Sequence, residues 1–282
     1  SAGGSRRVYS DVWVPTAQCC PSRTTMLTGD TTSTTRVWSN SGPRGGFGQF
    51  RRRNIDRTWL PTRLDAAGYA TALSGKFLNE FPQTFHVGDA PPRGFDHFFS
   101  FMDMPRSGRY YDYRTTDGVW HGSAQQDYST DVFARDAAGV VRDTDADTPL
   151  FLMVAPYGVH APATPPPRYA AQAAAARQLY GDSPVFDGLF AKAAQDSSMQ
   201  HRKRRAFARL PHFQRFFGRT VGAALAVDDA FAQVLDAFEQ YRESDPVVVF
   251  VSVMATPFRD DCNCNYTRGE GNCKCNRMLH AG

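Results

Sequence analysis

The chain has 282 residues, 41% of them hydrophobic and 21% charged, which is enough apolar sequence for a sizeable core and excludes a disordered protein. Its 32 basic residues against 28 acidic ones leave a net charge of +4, too small and too dispersed an excess to indicate a nucleic-acid partner. No apolar run reaches the length of a membrane span, and no secretory signal is visible in the opening SAGGSRRVYSDVW.

In chain order, the first predicted element is a short helix over Cys19-Cys20-Pro21-Ser22-Arg23-Thr24-Thr25-Met26-Leu27-Thr28, with Pro21 in its first turn and Gly29 at its end. Residues 39–56 are rich in Gly and Arg and read as irregular. WLPTRLDAAGY predicts a helix that begins near Pro61 and stops at Gly68. ATALS, residues 70–74, predicts a strand leading into Gly75-Lys76. LFLMVAPY, residues 150–157, is a continuous apolar run expected of a buried parallel strand. The proline-punctuated residues 161–168 can continue neither strand nor helix. Residues 216–241 predict an amphipathic helix with Val221, Leu225, Phe231, Leu235 and Phe238 on its apolar face. VVVFVS, residues 247–252, predicts a second buried strand. This alternation favours an α/β protein with a parallel sheet.

Residues 1–252 therefore read as one domain and 253–282 as a different kind of sequence, without apolar periodicity and with four of the six cysteines. The pattern Cys262-x-Cys264 and Cys273-x-Cys275 allows metal binding or two disulfides, although a spacing of one is tight for tetrahedral zinc. Asn265-Tyr266-Thr267 is a glycosylation sequon, informative in a secreted chain. The clusters Arg51-Arg52-Arg53 and His201-Arg202-Lys203-Arg204-Arg205 read as solvated faces, with attraction of sulfated polyanions as the rival reading.

The residues best suited to chemistry lie at the first helix. A helix mouth favours negative charge and presents backbone N–H groups. Arg23, one turn on from Cys19, adds a fork of donors that suits sulfate or phosphate. The plain alternative is a buried cysteine pair beside a surface arginine. A thiolate phosphatase loop fails on spacing, because it needs five residues between Cys and Arg and this chain has three after Cys19 or two after Cys20.

The run from Cys19 to Gly29 resembles the signature of the type I sulfatases, C-x-P-S-R-x-x-x-L-T-G, at every fixed position. The resemblance implies that Cys19 becomes formylglycine, the nucleophile and a metal ligand, and that Arg23 orients and stabilises it. Gly68-Tyr69-Ala70-Thr71-Ala72-Leu73-Ser74-Gly75-Lys76-Phe77 is similar to the family's second signature and implies that Lys76 contacts the sulfate. Residues 149–162, ending Tyr157-Gly158-Val159-His160-Ala161-Pro162, match a strand followed by a histidine before a proline. The implied role of His160 is to protonate the leaving oxygen or bind the sulfate. Taken alone, Lys76 could be a surface lysine after a turn and His160 a structural histidine.

Weaker likenesses at Val37-Trp38-Ser39-Asn40, Tyr110-Tyr111-Asp112-Tyr113, Asp127–Asp131 and Asp228-Asp229 point to the arylsulfatase and N-acetylglucosamine-6-sulfatase branch. The implied fold is a three-layer α/β/α sandwich with a mostly parallel central sheet, alkaline-phosphatase-like and truncated. The implied activity is hydrolysis of sulfate monoesters. The alternatives are a catalytically inactive, anion-binding fragment and a related phosphonate or phosphodiester hydrolase. Calcium is the implied cofactor, with an incomplete site: the family's paired aspartates are absent, and Ser252 is followed by Val253-Met254-Ala255 where the family has Asp-Asn-Gly. Asp260 and Asp261 stand in an unrelated context. The implied partners are a sulfated small molecule or glycan and a formylglycine-generating enzyme, with no nucleic acid. The implied location is secreted, periplasmic or lysosomal.

Overall fold

The computed structural model describes residues 15–81, 86–103, 110–181, 200–242, 246–252, 262–267 and 270–275. They fall into two compact units, Asp56–Val248 and Ser1–Ile55 with Val249–Gly282. No helix among the described residues is long and apolar enough to cross a membrane.

The larger unit is built on a parallel sheet of three strands. β1 (Ala70–Gly75) lies between β2 (His97–Phe99) and β6 (Leu150–Ala155). Five of the six β1 residues are buried, so both faces are covered, as a parallel strand requires. α4 (Leu60–Asp65) precedes β1, with proline in its first turn as predicted. α5 (Ser129–Asp143) packs on the sheet, and the Ser74 hydroxyl donates to the Phe133 carbonyl at 2.8 Å. The predicted burial of β6 needs correction. Leu150 to Val154 are only half-buried, because β6 pairs with β1 alone among the described residues and so stands at an edge.

A second, antiparallel sheet follows, of β3 (Phe101–Asp103), β4 (Tyr113–Thr115) and β5 (Trp120–His121). Its inner side joins α5 in an aromatic core of Phe101, Tyr110, Tyr113, Tyr128, Phe133 and Tyr157. These rings meet mostly edge to face, which suits their quadrupoles; Phe101 lies 4.8 Å from Phe133 and 5.1 Å from Tyr113.

The predicted helix at 216–241 is part of a longer one, α7 (Gln200–Tyr241), and its predicted inner face is wrong. Leu235 is exposed and Val221, Leu225, Phe231 and Phe238 are half-buried. The buried positions are Gly218, Gly222, Ala223, Ala226, Ala230, Val234 and Ala237. At Gly218 and Gly222 the cause is close approach to α6 (Ala170–Gly181) and the loop before it, while the helix also packs along α5. A Cβ on Gly218 would stand 2.2 Å from the Ala173 carbonyl oxygen, and one on Gly222 would stand 2.7 Å from Pro165 Cβ. Only small residues fit that seam, whatever their hydropathy. Arg168 ties the bundle together: it forms a two-pronged ion pair with Asp131 of α5 at 2.7 and 2.9 Å, and bonds Asp229 of α7 at 2.9 Å.

In the smaller unit α1 (Cys19–Thr28) ends on Gly29 in the left-handed conformation, as predicted. α2 (Thr32–Thr35) follows. Residues 39–56, expected to be irregular, contain α3 (Gly46–Arg52), because Phe47 and Phe50 stand three apart and bury together on one face. Residues 247–252, expected to be a buried strand, form none, and Val247, Val249 and Phe250 are exposed. Apolar β-branched composition makes a strand only where a sheet edge receives it, and none of the described strands pairs with this segment. β7 (Cys262–Thr267) and β8 (Glu270–Cys275) form a hairpin whose register sets Cys262 opposite Cys275 and Cys264 opposite Cys273. Asn265 stands opposite Asn272 in the same hairpin, and Asp260 and Asp261 lie outside the described residues.

Candidate active site

Cys19 opens α1 and is 2% exposed, with Cys20 behind it fully buried. The helix mouth differs from the expected row of available N–H groups. The Cys20 N–H donates to Asn40 Oδ1 at 2.8 Å, Pro21 has none, and the Ser22 N–H donates to the Gln18 carbonyl at 2.9 Å. The helix start is therefore largely capped by the chain itself, with Asn40 substituting for the missing N-cap side chain.

Arg23 is not the surface arginine of the plain alternative, since it is 6% exposed. Burial pushes its pKa down to about 10, partly opposed by the thiol groups of Cys19 and Cys20. It remains a cation at neutral pH, one helical turn from Cys19.

Lys76 and His160 both belong to the larger unit, and the structure brings them to one aromatic ring. β1 and β6 run parallel, so Lys76, directly after β1, and Tyr157, two residues after β6, leave the sheet at the same carboxyl edge. The Lys76 N–H donates to the Ala155 carbonyl at 2.7 Å, and its side chain is buried. Its Nζ lies 5.8 Å from the centre of the Tyr157 ring, within range of a cation–π attraction. The next residue, Phe77, is locked edge-on against Trp59 and Phe98, which fixes where Lys76 leaves the strand.

His160 stacks on Tyr157 with ring centres 4.7 Å apart. Its Nδ1 lies 2.8 Å from both Tyr157 Oη and the Ala161 carbonyl oxygen. The Tyr157 hydroxyl donates to that same carbonyl at 3.0 Å. The loop is held from below by two phenols: Tyr110 donates to the His160 carbonyl at 2.7 Å and Tyr128 to the Thr164 carbonyl at 2.9 Å. Burial drives both phenols' pKa values well up, so they remain protonated donors.

Three supporting residues gain their roles only from the structure. Asn40 and Tyr157 sit inside motif stretches that assign them nothing, and Tyr110 is one of a tyrosine cluster. Their signal is a polar tip on a residue that must also bury, which a one-dimensional pattern does not display. For calcium, no group of three or more His, Cys, Asp or Glu side chains among the described residues could hold a metal ion. The described residues thus do not fit the implied cation.

The sulfatase family model matches residues 7–252. N-acetylglucosamine-6-sulfatase from Bos taurus is 28% identical over 168 residues, 57% of this chain and 29% of that protein. An arylsulfatase from Chlamydomonas reinhardtii is 30% identical over 156 residues, 54% of this chain and 23% of that protein. This chain thus spans less than a third of the curated relatives it matches. A solved protein in complex with its substrate, D-glucosamine-2-N,6-O-disulfate, superimposes with a TM-score of 0.54 at 18% identity, covering 81% of this chain and 54% of that one. That likeness shows a shared α/β fold. With a matching family model across nearly the whole chain and the signature of Cys19 to Gly29 on a buried helix, the chain belongs to the sulfatase family.

Proposed function

We propose that the chain is the catalytic portion, residues 1–252, of a sulfuric ester hydrolase acting on sulfate monoesters of the aryl or glucosamine-6-sulfate type, with residues 253–282 an appendage. The observation that carries this reading is the burial of Cys19 and Arg23 one turn apart in α1. A buried arginine beside a buried cysteine suits an anionic group formed at residue 19 better than it suits a thiol.

In the proposed chemistry Cys19 is converted to formylglycine, whose hydrate carries two hydroxyls. One, ionised by loss of its proton to solvent, attacks sulfur; the ester S–O bond breaks and the charged His160 gives its proton to the departing alcohol oxygen. The second hydroxyl then gives its proton to the now neutral His160, the C–O bond to the sulfate breaks, and the aldehyde returns. Arg23 stabilises the hydrate as an oxyanion, and Lys76 binds sulfate oxygens. Charge fixed in place before the reaction begins supplies much of the rate enhancement in many enzymes. Partners on this reading are a sulfated small molecule or glycan and a formylglycine-generating enzyme, met along a secretory, periplasmic or lysosomal route.

The test is co-expression with a formylglycine-generating enzyme, mass analysis of the Cys19 peptide, and rate comparison on aryl sulfate and aryl phosphate. The expected result is an aldehyde on Cys19 and faster cleavage of the sulfate, abolished by Cys19→Ala. An aldehyde on Cys20 with Cys19 untouched, or faster phosphate cleavage, overturns the reading.

A further inference from the structure

We propose that Tyr157 is the positioning residue that decides which nitrogen of His160 carries the proton, holding the ring as the Nδ1–H tautomer and presenting Nε2 for chemistry. The catalytic consequence rests on the sulfatase reading above; the tautomer itself does not.

Donors and acceptors decide the matter. Three polar atoms meet in a triangle: His160 Nδ1, Tyr157 Oη and the Ala161 carbonyl oxygen, with edges of 2.8, 2.8 and 3.0 Å. The carbonyl can only accept. The Tyr157 proton goes to it, which leaves a phenol lone pair directed at Nδ1. A bare Nδ1 would then face two oxygen lone pairs at 2.8 Å, whereas Nδ1–H satisfies both. The tautomer of a histidine is set by what its other nitrogen bonds, and here that bond falls on Nδ1. Nε2 is left as the acceptor in the neutral ring and the donor in the charged one, as a general acid needs.

The same tyrosine is well built for the task. Its ring is 6% exposed and fixed edge-on by Phe101 and Tyr110, with centres at 6.1 and 5.2 Å. It therefore presents a rigid hydroxyl to His160 and a ring to the Lys76 ammonium 5.8 Å away. One side chain thus couples the acid to the sulfate-binding cation. Phenylalanine at this position keeps the ring and its cation–π contact while deleting only the hydroxyl.

The experiment labels the full chain with 15N-histidine and reads the two ring nitrogens of His160 by long-range proton–nitrogen correlation in alkaline buffer, with H160Q identifying the signal. The expected spectrum shows a protonated Nδ1 and a bare Nε2. Y157F should move the tautomer ratio toward Nε2–H by about two- to tenfold, the size of one neutral hydrogen bond. Y110F, which frees the His160 carbonyl but not the ring, should leave the ratio unchanged. A wild-type ring protonated mainly at Nε2 overturns the proposal, as does an unchanged ratio in Y157F or an equal shift in Y110F. If Y157F does not fold, the wild-type and Y110F spectra still decide. In the converted enzyme, Y157F should lower kcat for alkyl sulfates, whose leaving oxygen needs a proton, far more than for nitrophenyl sulfate, with KM little changed. A correct tautomer in a chain that cleaves no sulfate ester would sink the sulfatase reading and leave the positioning role standing.

Discussion

Gly75→Ala tests how tightly the end of β1 is built against β6. Gly75 has φ of +125°, a region closed to side chains. A Cβ there would lie 2.1 Å from the Ala155 carbonyl oxygen and 2.5 Å from its carbon. Both atoms are backbone in the neighbouring strand, and the same carbonyl accepts the Lys76 N–H. The variant must therefore change φ, at about 1–3 kcal/mol, and push the strands apart, at another 1–3 kcal/mol or so, about the cost of overpacking. A combined loss of about 2–6 kcal/mol corresponds to a fall in Tm of roughly 5–20 °C for a domain of this size. Gly68→Ala is the control. Gly68 also has positive φ, +85°, but nothing lies within 4 Å of its Cβ position, so only a backbone cost of about 1–2 kcal/mol applies. Thermal unfolding of both variants by circular dichroism reads the difference. Equal losses would refute the claim that close approach to Ala155 dictates the glycine before Lys76.

Other outcomes follow from the same geometry. Asn40→Ala should cost about 1 kcal/mol in urea denaturation by uncapping the Cys20 N–H, and an unchanged midpoint would contradict that capping role. His97 has a pKa raised above 6.5, chiefly by its hydrogen bond to Asp136 and against the effect of burial. Its stabilisation is therefore complete below about pH 6.5 and disappears as pH rises through the folded-state value. The stability gap between wild type and Asp136→Asn should accordingly narrow on going alkaline, and a gap that widens in a pH series of urea midpoints would disprove the linkage. Gly222→Val should destabilise the seam between α6 and α7, seen as an earlier thermal transition, whereas Leu235→Ala on the exposed side should change little. Added calcium should leave the turnover of a fluorogenic aryl sulfate by the converted 282-residue chain unchanged. That rate should lie on the order of a thousandfold below one with Lewis-acid assistance, and robust calcium-dependent turnover would refute the ligand reading.

The parts of the fold set by local rules are legible in the sequence. Proline at the start of α4, glycine at the end of α1 and the apolar run of β6 each produce the expected element. What escapes depends on neighbours. At Gly218 and Gly222 the inner face of α7 is chosen by the space against Ala173 and Pro165, which selects glycine over the leucine and phenylalanine that hydropathy favours. Residues 247–251 carry strand composition, yet pairing needs an edge that composition does not contain. In the site, Lys76 and His160 are visible as motif residues, whereas Tyr157 gains its role only when β1 and β6 end side by side. Asn40, twenty residues from the amide it caps, is the same kind of case.

The burial of Cys19 sets a deadline. A thiol that is 2% exposed, in the first turn of a helix, is closed to a modifying enzyme once that helix has packed. On the proposal that Cys19 becomes formylglycine, its conversion and the packing of α1 are then competing exits from the nascent state. The fraction of molecules carrying the aldehyde becomes a ratio of two rates rather than a property of the finished fold. A substitution that speeds closure of this helix would yield a more ordered but less modified population, and one that delays closure would do the reverse. Proteins made from one gene at two temperatures would thus differ in active fraction while being indistinguishable in structure elsewhere.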